Sequence, residues 1–260
     1  MKHGPKVEVN GKKRKSYLIA IIDDHSRLIA HGQFYLSETL VSYLDAFENA
    51  LAKRGLPRKL YVDNGAAFRS RHLEYICASL AIALIHSKPY KPQGRGKIER
   101  FFRTVRGEFL YGFKGQTLDE INEAFDLYLH HIYHQRKHSA TGKSPFQRFT
   151  DNMQCLRQAP INLTDHFRQA ARRRVAKDRT VTLNGKLYEA PVNLIGHQVE
   201  LLFHADEPDC VEVRFKQKSY GTLIPVDVHI NCRVKRDRNH NAQIDTHNTG
   251  SQYQGGKLLQ

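Results

Sequence analysis

The chain has 260 residues, room for one large domain or two small ones, and 40% of them are apolar, enough for a real core. Lys and Arg number 41 against 26 Asp and Glu, a net charge of +15 that points to a polyanionic partner, nucleic acid first. A secretory signal and a membrane span of ~20 apolar residues are not expected, the four cysteines (Cys77, Cys155, Cys210, Cys232) form no C-x-x-C pair of a zinc ribbon, and the expected setting is a reducing cytoplasm with no membrane partner.

The chain opens on a short alternating piece, Val7-Glu8-Val9, and Asn10-Gly11 is a hairpin turn signal. Tyr17 to Asp24 is nearly all apolar and predicts a strand buried on both faces, with Ala30 to Tyr35 as its antiparallel partner. Leu40, Leu44, Phe47 and Leu51 fall on one stripe of a helix from Thr39 to Arg54, stopped by Gly55 and Pro57. A strand from Lys59 to Asp63, a helix from Ser70 to Ala81 and a short strand from Ile82 to His86 follow. After a Pro/Gly-rich loop, Ser87 to Gly96, long helices are expected over Lys97–Leu110 and Leu118–Lys137.

The composition shifts after about Pro160, and the stretch 151–174 reads as a linker. From Val175 the chain is β-rich, with strands at Thr180–Leu183, Leu187–Ala190, Val199–Phe203 and Val211–Phe215; this spacing predicts a small barrel or sandwich over 175–236. The polar tail 237–260 is expected to be disordered.

Two carboxylates stand out. Asp63 ends the apolar run Leu60-Tyr61-Val62 and is followed by Asn64-Gly65; Glu99 lies where the glycine-rich basic loop gives way to a helix, with 35 residues between them. A strand end and a helix start can converge, so two acids there can bind one divalent metal.

The order β-β-β-α-β-α-β-α, with acids at the fourth strand and the following long helix, describes a ribonuclease-H-like α/β domain with a mixed five-stranded sheet. The chain resembles the integrase-core transposases, the DD(35)E group that includes insertion-sequence transposases, phage Mu transposase and retroviral integrases. The resemblance rests on Ile22-Asp23-Asp24-His25-Ser26-Arg27, on Tyr61-Val62-Asp63-Asn64-Gly65-Ala66-Ala67-Phe68, on Lys88 to Arg100, and on His138-Ser139-Ala140-Thr141-Gly142-Lys143-Ser144-Pro145. It covers roughly residues 5 to 150, so that 1–150 is expected to be the catalytic core, and the β-rich segment looks like the barrel that follows the core in Mu-type transposases.

The resemblance implies two-metal phosphoryl transfer with Mg²⁺ or Mn²⁺, two ions in an intact site, and assigns Asp63 and Glu99 as ligands. It implies DNA partners, the element ends and the target, and a homo-oligomer on DNA. Lys88, Lys91, Arg95 and Lys97, continued by Arg100 and Arg103 on the helix, form a basic track suited to a phosphate backbone. Arg172, Arg173 and Arg174 are a second basic cluster, and His130, His131, His134 and His138 gather near a helix end without an expected metal role.

One ligand is missing. The family's first catalytic Asp stands a couple of residues upstream of a stretch like His3-Gly4-Pro5, ahead of Met1, and Asp23 and Asp24 match a different family motif. The first ligand therefore reads as absent, with Asp23 or Asp24 as the substitutes, and a late-assigned start or a truncated gene as the expected reason. The readings that follow are a DDE-type transposase fragment, a catalytically inactive DNA-binding transposition inhibitor, and a ribonuclease-H-like nuclease with a substitute ligand.

Overall fold

The computed structural model describes residues 2–87, 96–204, 207 and 210–226. The chain divides into two compact units, residues 1–167 and 168–260.

The first unit begins with β1 (Lys2–Val9), which turns through Asn10 and Gly11, both at positive φ (51° and 72°), into β2 (Lys12–Ile22). Two consecutive left-handed residues make the turn that matches the twist of a hairpin, which is why Asn-Gly is found there. β2 pairs on its other side with β3 (Ile29–Tyr35), also antiparallel. Gly4 is required in β1 by close approach: a Cβ there would stand 2.5 Å from Ser16 Oγ and 2.7 Å from the Phe34 ring. Ser16 Oγ donates to the Pro5 carbonyl at 2.6 Å across the same contact.

Helix α1 (Leu40–Arg54) buries Leu44, Phe47 and Leu51, as the stripe requires, and ends at Gly55 (φ 80°), whose N–H reaches the Leu51 carbonyl at 2.8 Å. β4 (Lys59–Val62) follows, then α2 (Arg71–Ser79), capped by the Ser70 hydroxyl accepting from Leu73 N–H, then β5 (Ala83–His86), parallel to β4. α3 (Gly96–Thr104) widens into a π turn over Val105–Leu110. α4 (Leu118–Tyr128) starts with a Thr117–Glu120 capping box and widens into a second π turn over Leu129–Tyr133; α5 (Pro145–Thr150) is short. The two long helices expected from the pattern are thus shorter α-helices with π-helical ends; His134 N–H bonds the carbonyl of Leu129, five residues back, at 2.9 Å.

β2 separates two cores. Leu18 joins Val7, Phe34, Phe101 and Phe125 on one face, while Ile19 joins Phe47, Leu51, Leu60 and Leu73 on the other. Period-two alternation of apolar residues on a strand covered from both sides produces this division.

The five strands keep the ribonuclease-H-like order, but they form two hydrogen-bonded sheets, β1-β2-β3 and β4-β5. The β1 ladder on β2 stops at Lys2 opposite Leu18. Beyond it, Ile19–Ile22 pair with β3 alone, and β4 pairs with β5 alone among the described residues. A cavity of about 580 Å³ is lined by both free edges.

The stretch expected to be a linker is structured. Leu163 and Phe167 pack into the core that holds Phe47, and Gln169–Arg174 is a strand, β6. Its arginines hid the strand: they point to solvent, and pairing comes from the backbone with β9 (Gln198–Phe203). With β7 (Thr180–Leu183), β8 (Lys186–Glu189), β10 (Val211–Phe215) and β11 (Lys218–Pro225) the second unit forms one six-stranded sheet in the order β6-β9-β10-β11-β8-β7. Its ends approach closure, for Arg173 Nε on β6 donates to the Thr182 carbonyl on β7 at 3.2 Å. This is the small all-β barrel the sequence predicted, and its core is Val181, Tyr188, Leu201, Val211 and Val213. The tail 237–260 lies outside the described residues.

Candidate functional site

Asp63 sits immediately after β4 and is half-buried. Its Oδ1 accepts the Gly65 N–H at 2.8 Å, and its carbonyl is 3.4 Å from His86 Nδ1. Asn64 Nδ2 donates to the Ser87 carbonyl at 2.6 Å, so the Asp-Asn-Gly turn is pinned to the end of β5. Glu99 stands in the first turn of α3, exposed, where the positive end of the helix dipole favours a carboxylate.

Glu99 lines a cleft of about 760 Å³ together with Arg27, Lys97, Arg100, Arg103, Arg136 and Lys137. The cations come from three places: the β2–β3 turn, α3, and the segment after α4. Arg136 is aimed by Glu108, whose Oε1 lies 2.9 Å from its guanidinium, and Tyr128 Oη holds the other carboxylate oxygen at 3.0 Å. Burial, then the charges of Arg27, Arg100 and Arg136, hold the His138 imidazole below its ordinary range. Burial is the larger cause, and the three arginines add a positive field in the same direction.

Of the expected basic track, Lys97, Arg100 and Arg103 line this cleft. Lys88, Lys91 and Arg95 lie outside the described residues. Arg27, Arg136 and Lys137 were not anticipated as part of the track. Arg27 stood in a recognised motif, but its proximity to Arg136, more than a hundred residues later, has no local signal.

Asp63 lines the other cavity, the one between the β2 and β4 edges; Ile22 and Lys97 border both. Among the described residues no group of three or more His, Cys, Asp or Glu is placed to hold a metal ion. The two substitutes are engaged elsewhere. Asp23 Oδ2 accepts both the N–H (2.7 Å) and the hydroxyl (2.5 Å) of Ser26, which fixes the β2–β3 turn. Asp24 pairs with Lys97 Nζ at 2.6 Å. Two of the clustered histidines have local partners: His130 Nδ1 lies 2.9 Å from the Asp126 carbonyl, and buried His134 accepts from the Ile29 backbone. No helix among the described residues is long and apolar enough to cross a membrane.

Residues 37–115 match the family model of the TnsB C-terminal domain. The transposase for transposon Tn552 of Staphylococcus aureus is 32% identical over 167 residues, covering 56% of this chain and 35% of that protein. A putative transposase for insertion sequence element IS5376 of Geobacillus stearothermophilus is 21% identical over 265 residues, covering 87% of this chain and 64% of that protein. The chain therefore spans about a third to two thirds of these relatives. The HTLV-2 integrase catalytic core domain, solved in complex with magnesium, aligns at a TM-score of 0.44 and 22% identity over 57% of this chain and 90% of that one. The transposase-domain match falls on the segment from α1 to α3 that carries Asp63 and Glu99, and two transposases align along the chain, so the chain is similar to transposases of the DDE type over this segment.

Proposed function

We propose that the chain binds DNA along the cleft beside α3 and belongs to a machine for DNA strand cleavage and 3′-hydroxyl strand transfer. The observation that carries this is the convergence of six cations from three separated elements on one cleft whose wall also holds Glu99. Duplex DNA carries one charge per ~1.7 Å, and a cleft of this kind gains affinity by releasing its counterions. Element ends and target DNA are the proposed substrates, a homo-oligomer on DNA the proposed working form, and the cytoplasm the proposed place.

Asp63 and Glu99 are the carboxylates we assign to divalent metal, Mg²⁺ or Mn²⁺, for which hard oxygen donors are the right chemistry. A pair of ions flanking a phosphate needs a larger donor set than these two acids, which line different cavities among the described residues. The described donors alone do not fit a two-ion centre, so cleavage and strand transfer are assigned to an assembly in which the set is complete.

A second reading is a catalytically inactive DNA-binding protein that acts as a transposition inhibitor. It is favoured by the engagement of Asp23 with Ser26 and of Asp24 with Lys97, which leaves neither as a ready third ligand.

The test is duplex binding over a salt series, followed by Mg²⁺-dependent cleavage by the wild type, Asp63→Asn and Glu99→Gln. Salt-sensitive binding with cleavage lost in both variants supports the first reading. Binding without cleavage in any variant supports the second. Cleavage surviving both substitutions overturns the site assignment, and absence of salt-sensitive binding overturns both readings.

A further inference from the structure

The β1–β2 hairpin extends past the sheet that anchors it. β3 pairs with β2 only from Tyr17 onward, so Lys12–Ser16 of β2 and Lys6–Val9 of β1 form a two-stranded ribbon without a third strand. The ribbon is anchored along β1: Val7 is fully buried, Val9 packs against the same core, and Glu8 N–H donates to the Gln116 carbonyl at 2.7 Å. Toward the tip, Lys12, Lys13, Arg14 and Lys15 follow one another, and all four are exposed.

Strand alternation sends Lys13 and Lys15 to one face and Lys12 and Arg14 to the other. Lys6 stands directly opposite Lys15, and it too is exposed. Like charges facing each other across a ladder cost stability. Of the five cations, none makes a hydrogen bond or an ion pair among the described residues, and the only acid on the ribbon is Glu8, opposite Lys13.

Protection of a sheet edge explains one or two lysines. It does not explain four consecutive cations with a fifth, Lys6, set directly opposite Lys15. A rigid strand that presents a run of exposed cations beside an anchored face suits contact with a phosphate backbone at the surface of a duplex.

We propose that the β1–β2 hairpin is a second DNA-binding element, separate from the α3 cleft, that grips the phosphate backbones of duplex DNA through Lys6, Lys12, Lys13, Arg14 and Lys15. It rests on the DNA reading above. The contacts are to phosphate, so the ribbon adds affinity and orientation without sequence preference.

The experiment compares the full chain with K12Q/K13Q/R14Q/K15Q by fluorescence anisotropy on a 30-base-pair duplex of arbitrary sequence, from 50 to 300 mM salt. A control, R69Q/R71Q/K114Q/K177Q, removes the same charge from exposed sites elsewhere. Each lost phosphate contact flattens the slope of log K against log salt by about 0.9. The expected result is a slope shallower by about 2–4 in the hairpin variant, unchanged in the control, with the melting temperature equal to or above wild type because the Lys6–Lys15 repulsion is relieved. Equal slopes in the hairpin variant and the wild type overturn the proposal while leaving the cleft reading standing. Equal losses in hairpin variant and control overturn it too, as a net-charge effect. A wild type that binds no duplex overturns both readings.

Discussion

The Ile29 backbone N–H donates to His134 Nε2 at 3.1 Å, a bond between the first residue of β3 and the end of the π turn after α4, 105 residues on. It requires an unprotonated Nε2, so the imidazole is neutral with its proton on Nδ1. Burial first, then the charges of Arg54 and His130, push the His134 pKa down to about 3.

The pH dependence follows from that direction. An unfolded histidine titrates near 6.5, and the folded one resists protonation, so the unfolded state binds more protons between these values. The stabilisation is complete above about pH 6.5 and is lost progressively as pH falls from there toward 3. Urea unfolding should give a lower midpoint at pH 5 than at pH 7.5. His134→Gln, able to accept the Ile29 N–H without titrating, should flatten that dependence, while His134→Ala should cost about 2 kcal/mol at pH 7.5 by orphaning the amide. A wild-type midpoint unchanged between the two pH values would refute the assignment.

The barrel responds to acid in a different window. Burial pushes the Glu212 carboxyl up, but hydrogen bonds from Arg214, Ser219 and Arg168, with the Arg214 charge, outweigh it and hold the group down at about 2. Arg168 approaches one oxygen at 2.5 Å and Arg214 the other at 2.7 Å. Its contribution is present above about pH 4.5 and is lost as pH falls from there toward 2. At pH 5, therefore, the core unit should loosen before the barrel. Hydrogen exchange should quicken at β3 between pH 7 and 5 while β9 and β10 keep their protection; the opposite order would contradict both assignments.

His138 offers a reporter for the cleft. Burial first, then the charges of Arg27, Arg100 and Arg136, lower its pKa in the free protein. DNA phosphates seated among these arginines would offset their field, so the His138 pKa should rise on binding. By linkage, affinity should strengthen as pH falls through the range where His138 titrates. An NMR titration of the His138 ring with and without duplex reads this directly, and an unmoved pKa at saturation would place the DNA elsewhere.

The patterns legible in the sequence were those with short period. The α1 stripe, the Asn-Gly hairpin, the two-sided burial of β2 and the β-rich second unit all follow from residues within a few positions of one another. β6 was read as linker because its exposed arginines mask a strand whose pairing depends on Val199 and Leu201, some 25 residues later. The arginines at 27, 100 and 136 meet through tertiary packing, which no window reports. Asp63 and Glu99 were singled out through motif and spacing, whereas their placement on different cavities is a property of β2 and β4 in space. The groove between β2 and β4 has no signal in any local window.

That groove makes the last prediction. Among the described residues, Ile19–Ile22 on β2 and Lys59–Val62 on β4 each present an unpaired ladder edge, and Phe47 and Leu51 line the cavity with them. Unsatisfied backbone groups beside apolar surface cost free energy that an added strand recovers. β1 runs antiparallel to β2 and meets Leu18 at Lys2, so residues placed ahead of β1 continue along Ile19–Ile22 in register. A chain extended before Met1 by a short β-branched segment such as Val-Thr-Ile-Val should melt several degrees higher. It should also bind less of a hydrophobic dye than the 260-residue chain. Replacing the added segment by Gly-Ser-Gly-Ser should remove both effects, since glycine resists the extended state and brings no side chain to the groove. If both extensions behave alike, the two edges are not a strand-accepting pair.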